Sequence, residues 1–361
     1  MGIPSTMQMK LSLNTILRSL VLLFVLVSPS TRADKAHQAD KNISNTSPLA
    51  ASSGVLVMAH GGDADWNRAV ERVVEPLRAS YPVEIAFGMA KTSTMHAAVR
   101  RLEDQGVEHI AVVRMFISGE SFLENTEIIL GLRESKPEPK QDTHSSHHNA
   151  PTKPDEPMNH DSMDSMDSMD SMDSMDSMDS MDSMDHGSGH MMEPPAAIDT
   201  DSTFYLSTAG VAATTLIDDI LVERVQSLSV DPSTESILIL AHGPGDDDEN
   251  QRWLADMKRR TELLRSLGNF IDIRCETLRE DWPGRRAEAE QRINEFVQSH
   301  NDEGTRVIVV PFRVAGFGPY REVLAGLSYI ADEQGFCPHP NMTTWIDQTA
   351  RKHLPSLPEH N

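Results

Sequence analysis

Two short apolar runs in the chain each lead directly into a histidine and a glycine. The first, residues 55–59, is followed by His60, and the second, residues 237–241, is followed by His242. An unbroken apolar run of this length is typical of a parallel strand that is buried on both faces of its sheet. Because glycine lets the backbone turn at once, each run predicts an imidazole at the carboxyl edge of a sheet, where open α/β folds bind ligands.

Helical and strand patterns alternate after each histidine. In the first half the predicted elements are a helix over 65–80, a strand over 83–87, a helix over 94–105 and a strand over 109–116. In the second half they are a helix over 249–267, a strand over 270–275, a helix over 284–300 and a strand over 306–312. The alternation predicts parallel sheets, and its recurrence indicates an internal duplication at the scale of a domain.

A fourth strand and a last helix complete each half. In the first half these are residues 203–206 and 211–228, and in the second half residues 335–337 and 342–353. We therefore predict an α/β fold of two tandem lobes, each a four-stranded parallel sheet flanked by helices. The predicted boundaries are 53–230 for the first lobe and 234–355 for the second.

The first lobe is interrupted by a low-complexity insertion, residues 135–199. Ser-Met-Asp is repeated eight times over residues 162–185. A three-residue period matches neither helical nor strand amphipathicity, and repeated negative charges oppose collapse, so we predict a disordered arm. The candidate metal ligands that flank the repeat are His144, His147, His148, His160, His186, His190, Met191 and Met192.

Two interpretations of this arm remain open. In the first it captures metal, because thioethers suit Cu(I) and imidazoles suit Cu(II), Ni(II), Co(II) or Zn(II). In the second it is an acidic linker without a defined set of ligands, since only its composition supports the assignment. The flanking histidines favour metal binding.

The first 33 residues have the pattern of a signal peptide. Lys10 and Arg18 precede an apolar run over residues 20–27, and small residues follow before Asp34. The run is short for a bilayer span, so we expect cleavage, a disordered linker over 34–52 and no stable membrane insertion of the mature protein. An uncleaved anchor is the alternative. Export to a periplasm is the expectation that follows.

The net charge bears on binding to nucleic acids, and the cysteine content bears on disulfide bonds. The formal net charge is −23, much of it in the insertion, and it argues against a nucleic-acid partner because no basic stripe is available for phosphates. Only Cys275 and Cys337 are present. One disulfide is conceivable in an oxidising compartment, but buried thiols are the favoured interpretation because Cys275 falls in a predicted core strand.

The doubled strand-His-Gly units resemble the sirohydrochlorin cobaltochelatases of the CbiX type, which are class II tetrapyrrole chelatases. The most specific stretch is residues 60–67, His-Gly-Gly-Asp-Ala-Asp-Trp-Asn. The resemblance implies two lobes that face each other across a cleft. It also implies ATP-independent insertion of Co(II), Ni(II) or Fe(II) into a tetrapyrrole such as sirohydrochlorin, a lyase reaction of cobalamin biosynthesis.

The resemblance also implies roles for particular residues. His60 matches the family's histidine and would act as metal ligand and proton acceptor, and His242 takes the equivalent place in the second half. Glu276 matches an acidic residue that the family places after its second strand, where the first half has Met89. A neutral imidazole suits both roles near neutral pH, and a carboxylate across the cleft would hold the metal or relay protons.

The chain departs from the family after the third strand of each half. The family carries a second histidine there, but residues 116–124 and 312–320 contain none. Glu120 or Glu124 could replace the missing ligand in the first half, because carboxylates also bind such ions, but a surface glutamate without a ligand is the favoured interpretation because glutamate is mostly exposed. Tyr320 and Arg321 would position an anionic substituent of the ring in the second half.

Three functional hypotheses follow. The first is an exported chelatase-like enzyme that binds a tetrapyrrole and a divalent metal ion. The second is a non-catalytic periplasmic protein whose lobes bind metal or tetrapyrrole and whose arm buffers metal. The third is a scaffold that acts only through protein contacts. The missing second histidines favour the last two, whereas His60, His242 and Glu276 favour the enzyme.

Overall fold

The computed structural model describes residues 52–135 and 194–359. The predicted signal peptide, the linker up to residue 51, and residues 136–193 of the predicted insertion, with its six histidines, lie outside the described residues. The end of the predicted insertion, residues 194–199, is described, and there the Ile198 amide donates to the Ile129 carbonyl at 3.0 Å, so the prediction of disorder is wrong for this end. The strands are β1 Ser53–Ala59, β2 Val83–Phe87, β3 His109–Met115, β4 Thr203–Leu206, β5 Glu235–Ala241, β6 Ile273–Thr277 and β7 Arg306–Pro311. The helices are α1 Ala64–Val74, α2 Thr92–Glu103, α3 Leu123–Ile129, α4 Leu216–Leu228, α5 Asp247–Arg260, α6 Pro283–Asp302, α7 Tyr320–Val323 and α8 Pro340–His353.

All strands pair in parallel, in two sheets. The first sheet has the order β2-β1-β3-β4, and the second has the order β6-β5-β7. The central strands β1 and β5 are buried along their whole length, as their unbroken apolar sequence predicted. We call the first sheet with α1, α2 and α3 the first lobe, and the second sheet with α5, α6 and α7 the second lobe. The prediction of an α/β fold with two parallel sheets is confirmed.

The prediction of a fourth strand is right for the first sheet and wrong for the second. Beside β7 only Ile330 forms a bridge, to Ile308, so no continuous ladder develops. Residues 335–337, predicted as the strand, lie beyond the end of β7 and bond to the following loop, where the Cys337 amide donates to the Val314 carbonyl at 2.7 Å. The chain turns between these two points, with Glu333 in the left-handed conformation at φ 57°, which interrupts strand pairing.

A single core joins the lobes because the last helix of each half packs on the other half's sheet. Helix α8 packs against β3 and α1, and α4 packs against β7. Across the first of these contacts the Thr343 hydroxyl donates to the Val73 carbonyl at 2.7 Å, and the Tyr81 hydroxyl donates to Asp347 at 2.8 Å. Apolar residues of both sheets therefore belong to one continuous cluster.

Separate apolar clusters cover the outer faces of the sheets. Helix α2 contributes Met95, Val99 and Leu102 to the first, and α6 contributes Ile293 and Phe296 to the second. Each sheet is thus covered on both faces, and only its edges and strand ends remain for a site. None of the helices in the described ranges combines the length and hydropathy needed to cross a membrane.

The two cysteines are free thiols, and both are buried. Burial raises the pKa of the Cys275 thiol to about 11, despite a contact with the Thr261 hydroxyl. This placement agrees with the buried-thiol interpretation, and both cysteines contribute to the shared core.

Candidate functional site

The two histidines leave their sheets with the same local geometry. His60 follows β1 and His242 follows β5, and in each ring Nδ1 lies 2.8 Å from the carbonyl oxygen of the next glycine. A carbonyl only accepts, so Nδ1 carries a hydrogen and Nε2 is the atom presented outward. The turn requires glycine, because Gly61 and Gly243 have φ of 83° and 77°.

Each histidine loop is tied to the helix that follows it. Asp63 caps α1 by accepting from the Trp66 amide at 2.8 Å, and Asp246 caps α5 by accepting from the Glu249 amide at 2.8 Å. Asn67 also holds the first loop, since its amide group exchanges hydrogen bonds with both backbone atoms of Gly62. These contacts position the imidazoles at the carboxyl edges of their sheets.

Two carboxylates of the loop between β6 and α6 stand at His242. Its Nε2 lies 3.1 Å from Asp281 and 3.8 Å from Glu280. Burial disfavours the charged ring, yet the hydrogen bond to Asp281 and the charges of both carboxylates raise the pKa of His242 above its usual value. With an acceptor beside each nitrogen, the protonated form of His242 is favoured.

A partly buried arginine orders the second of these carboxylates. Arg313, in the loop after β7, forms an ion pair with Glu280. Its guanidinium lies 5.6 Å from the ring centre of Tyr320, which is fully buried. Tyr320 was predicted as a ligand-binding residue. Because it is fully buried, it instead packs against the guanidinium of Arg313 and supports the network from the core side.

The charge of the first lobe's histidine also acts on Asp281. Hydrogen bonding to His242 lowers the pKa of Asp281, burial opposes this shift, and the nearby charges of His242 and His60 lower the pKa further. Asp281 is therefore under the influence of imidazoles from both lobes. We call His60, His242, Glu280 and Asp281 the two-lobe cluster. Across residues 52–135 and 194–359, no three or more His, Cys, Asp or Glu side chains form a ready metal-binding group.

The other predicted site residues lie elsewhere. Glu276 lies in β6 with its carboxylate 3.5 Å from Arg292 of α6, on the opposite face of the strand from buried Cys275. Glu124 lies 3.7 Å from Arg133. Arg321 forms an ion pair with Glu333. These side chains are engaged by neighbours outside the two-lobe cluster.

Glu120 connects the lobes. Both of its carboxylate oxygens accept from the guanidinium of Arg252 in α5, each at 2.7 Å. This bidentate pair links the loop after β3 to the helix that follows His242. Glu120 therefore lies near the junction of the lobes, with its charge compensated by Arg252.

Glu280 and Asp281 were not predicted as site residues, because the second strand of the second half ends later than its apolar pattern indicated. The strand predicted over 270–275 is observed at Ile273–Thr277, so the loop that follows the strand begins beyond Glu276. Ile271, whose apolar side chain suggested a strand residue, is half exposed at 50% and precedes β6. The signal that could have found the site is the tract Arg-Glu-Asp-Trp at 279–282, directly before the helix start at Pro283.

Several solved structures are similar to this chain. One is SirB from Bacillus subtilis with Fe3+, at 12% identity over 84% of this chain and 94% of that chain, with a TM-score of 0.48. Another is the sirohydrochlorin chelatase SirB from Bacillus subtilis subspecies spizizenii in complex with cobalt, at 10% identity over 84% and 95%, with a TM-score of 0.46.

A third similar structure is a multi-domain protein from Deinococcus radiodurans that is described as structurally similar to chelatases. The identity is 16% over 83% of this chain, with a TM-score of 0.44, and this chain spans only 55% of the Deinococcus protein. A comparison with curated protein sequences gave no significant match.

The family comparison agrees with the resemblance found in the sequence. The CbiX family model matches residues 54–144, a range that contains β1, the turn at His60 and the rest of the first lobe up to α3. The first lobe, over residues 54–144, is thus similar to the CbiX family.

Proposed function

We propose that this protein is an exported chelatase-like enzyme that inserts a divalent metal ion into a tetrapyrrole such as sirohydrochlorin. The observation that supports it best is that histidines from both sheets act on Asp281, His242 through a contact of 3.1 Å and His60 through its charge. The CbiX match of residues 54–144 supports the reaction class. Co(II), Ni(II) and Fe(II) are proposed from the family resemblance, and export from the pattern of residues 1–33.

The reaction needs a group that takes the metal ion from water and groups that accept the two pyrrole protons. His60 presents Nε2 outward because its Nδ1 is engaged by the Gly61 carbonyl, so it suits the ligand role. The metal here is a substrate that the protein and the ring hold together, so a complete set of protein ligands is not required.

His242 and Asp281 suit the proton-accepting role. When His242 is neutral, the adjacent carboxylates favour the uptake of a proton by its ring. Asp281 then stabilises the imidazolium through the 3.1 Å contact. The Arg313–Glu280 ion pair keeps the second carboxylate in place beside the ring.

A non-catalytic binding protein is the second candidate. The observation that favours it is the absence of histidine from residues 116–124 and 312–320, together with the engagement of Glu120 by Arg252. In that case the two-lobe cluster would hold metal or tetrapyrrole without turnover, and the Met/His/Asp arm would buffer metal.

Metal insertion distinguishes the two candidates. Mature protein is mixed with sirohydrochlorin and Co(II), Ni(II) or Fe(II), and the ring's absorption is followed over time. We expect His60→Ala to lower the rate by about 100-fold, the scale of a lost ligand or base. His109→Ala is the matched control, because His109 lies at the amino end of β3, whereas His60 follows the carboxyl end of β1 in the same sheet.

The outcomes separate enzyme from binder. A wild-type rate equal to the uncatalysed rate, with metal still bound, supports the binding protein and rules out the enzyme. Deletion of residues 162–185 removes the arm's repeat, so metal binding that survives the deletion and disappears in His60→Ala belongs to the lobes. Loss of metal binding on deletion alone assigns it to the arm.

A further inference from the structure

Each lobe places a tryptophan beside its histidine. The rings of His60 and Trp66 have centres 6.5 Å apart, and those of His242 and Trp282 have centres 6.1 Å apart with an edge-to-face orientation. The four side chains thus form two imidazole–indole pairs, one on each side of the junction that Asp281 marks.

The internal duplication does not account for this arrangement. Trp66 is the residue whose amide is capped at the start of α1, and the residue at that position of α5 is Glu249. Trp282 instead precedes α6, where the corresponding residue before α2 is Lys91. The two halves therefore place an indole beside the histidine from different elements, Trp66 from α1 and Trp282 from the residue before α6. This recurrence indicates that the site requires an aromatic ring beside each imidazole.

Glycine backbone lies against both indoles. A Cβ at Gly245 would be 2.2 Å from the Trp282 ring nitrogen, and a Cβ at Gly62 would be 3.0 Å from Trp66. Gly316 of the second lobe also lies close to Trp66, since a Cβ there would be 3.6 Å from its ring. The absence of side chains at these positions leaves room for both indoles, and it places Trp66 near the junction of the lobes.

These two tryptophans differ from the other two in the chain. Trp253 and Trp345 are core residues with 8% and 4% exposure. Trp282 is 38% exposed, and Trp66 is only partly buried. A large aromatic surface left accessible beside an imidazole is suited to stacking on a flat conjugated ligand, which loses water on both faces when it binds.

We propose that Trp66 and Trp282 are specificity-determining residues that stack on the conjugated ring of a tetrapyrrole and position it between His60 and His242. This inference rests on the proposed function and deepens it by assigning the ring's binding surface. The tryptophans provide contact area and orientation, and the two-lobe cluster provides the chemistry.

The test is a titration of the full mature protein with metal-free sirohydrochlorin, followed through the ring's own absorption. Trp66→Leu and Trp282→Leu keep an apolar side chain but remove the π face, and each is expected to weaken binding by about three- to tenfold. Trp66→Phe and Trp282→Phe restore a π face and should recover most of the affinity. Trp253→Phe, in the core, controls for the loss of an indole, and Co(II) affinity without the ring should stay unchanged in all variants.

Each outcome bears on one claim. Leu variants that bind the ring as tightly as wild type, beside normal wild-type metal insertion, overturn the inference and leave the proposed function standing. Leu variants that lose affinity without recovery in the Phe variants also overturn it, because the effect is then one of packing. A wild type that binds the ring through both tryptophans but inserts no metal supports the inference and overturns the proposed enzyme.

Discussion

At the residue scale, the two imidazoles differ in what faces Nε2. His242 faces Asp281 at 3.1 Å and belongs to a network that continues through Glu280 to the partly buried Arg313. His60 is exposed, and its charge acts on the same carboxylate from the opposite lobe. The chain thus presents one imidazole to incoming ligands and places the other beside carboxylates that favour its protonation, which suits a division between ligand and proton acceptor.

Asp281→Asn should lower the pKa of His242, because the ring loses both a charge-assisted hydrogen bond and a neighbouring negative charge. NMR titration of the imidazole protons measures this directly, and Asp248→Asn, an exposed residue of α5, is the control. An unchanged His242 titration in Asp281→Asn would contradict the assigned network.

The pair His242 and Asp281 makes the free energy of unfolding depend on pH in a defined direction. The raised pKa of His242 means that its contribution is complete below the ordinary histidine value and is lost as pH rises through the folded-state pKa. The lowered pKa of Asp281 means that its contribution is lost as pH falls through its own folded-state value. The stability difference between wild type and Asp281→Asn should therefore be largest in mildly acidic solution and shrink in alkaline solution.

At the element scale, the strand-to-helix turns position the imidazoles. Both turns place glycine in the left-handed region directly after the histidine, and both end in an aspartate cap. In the second lobe the turn also packs tightly, since a Cβ at Gly243 would lie 2.6 Å from the Cβ of Thr277 in β6. The glycine is thus required by conformation and by packing together.

Gly243→Ala and Gly304→Ala separate these two requirements. Gly304 has φ of 74° with nothing within 4 Å of an added methyl group, so its substitution should cost only the backbone strain, about 1 kcal/mol. Substitution of Gly243, which has φ of 77°, should lower the free energy of unfolding by about 1–3 kcal/mol more, because the added carbon also overlaps Thr277. Urea unfolding measures both, and equal losses would show that the contact with Thr277 relaxes freely.

At the scale of the whole molecule, the exchanged helices make the lobes interdependent. Helix α8 closes the core of the first lobe and α4 that of the second, and one apolar cluster runs through both. The Glu120–Arg252 pair adds a further link at the junction, where Gly316 also lies close to Trp66. The relative placement of His60 and Asp281 is therefore a property of the common core.

Tyr81→Phe tests this interdependence. The variant loses the hydrogen bond to Asp347 in α8, which should cost about 1 kcal/mol of unfolding free energy. If the lobes unfold together, labelling of the buried thiol of Cys275, in the second sheet, should accelerate by about fivefold. Tyr205→Phe, whose hydroxyl contacts His109 within the first lobe at 3.4 Å, is the control. Unchanged labelling in Tyr81→Phe would show that the second sheet unfolds independently.

Much of the fold was predictable because it depends on patterns among neighbouring residues. Apolar runs predicted β1 and β5, the alternation of strand and helix predicted parallel sheets, and His-Gly at the strand ends predicted where both imidazoles leave their sheets. The absence of a fourth strand from the second sheet was not predictable, because the sequence of a single bridge such as that at Ile330 does not differ from the sequence of a short strand.

The sequence by itself determined the strand-His-Gly turns, the duplication and the chemical character of the arm, since these depend on neighbouring residues. Only the tertiary structure decided that Glu280 and Asp281, rather than Glu276, stand at His242, that α4 and α8 change places, and that Arg252 engages Glu120. These contacts join residues distant along the chain. Their geometry depends on strand ends, loop lengths and the packing of one lobe against the other, none of which a local pattern specifies.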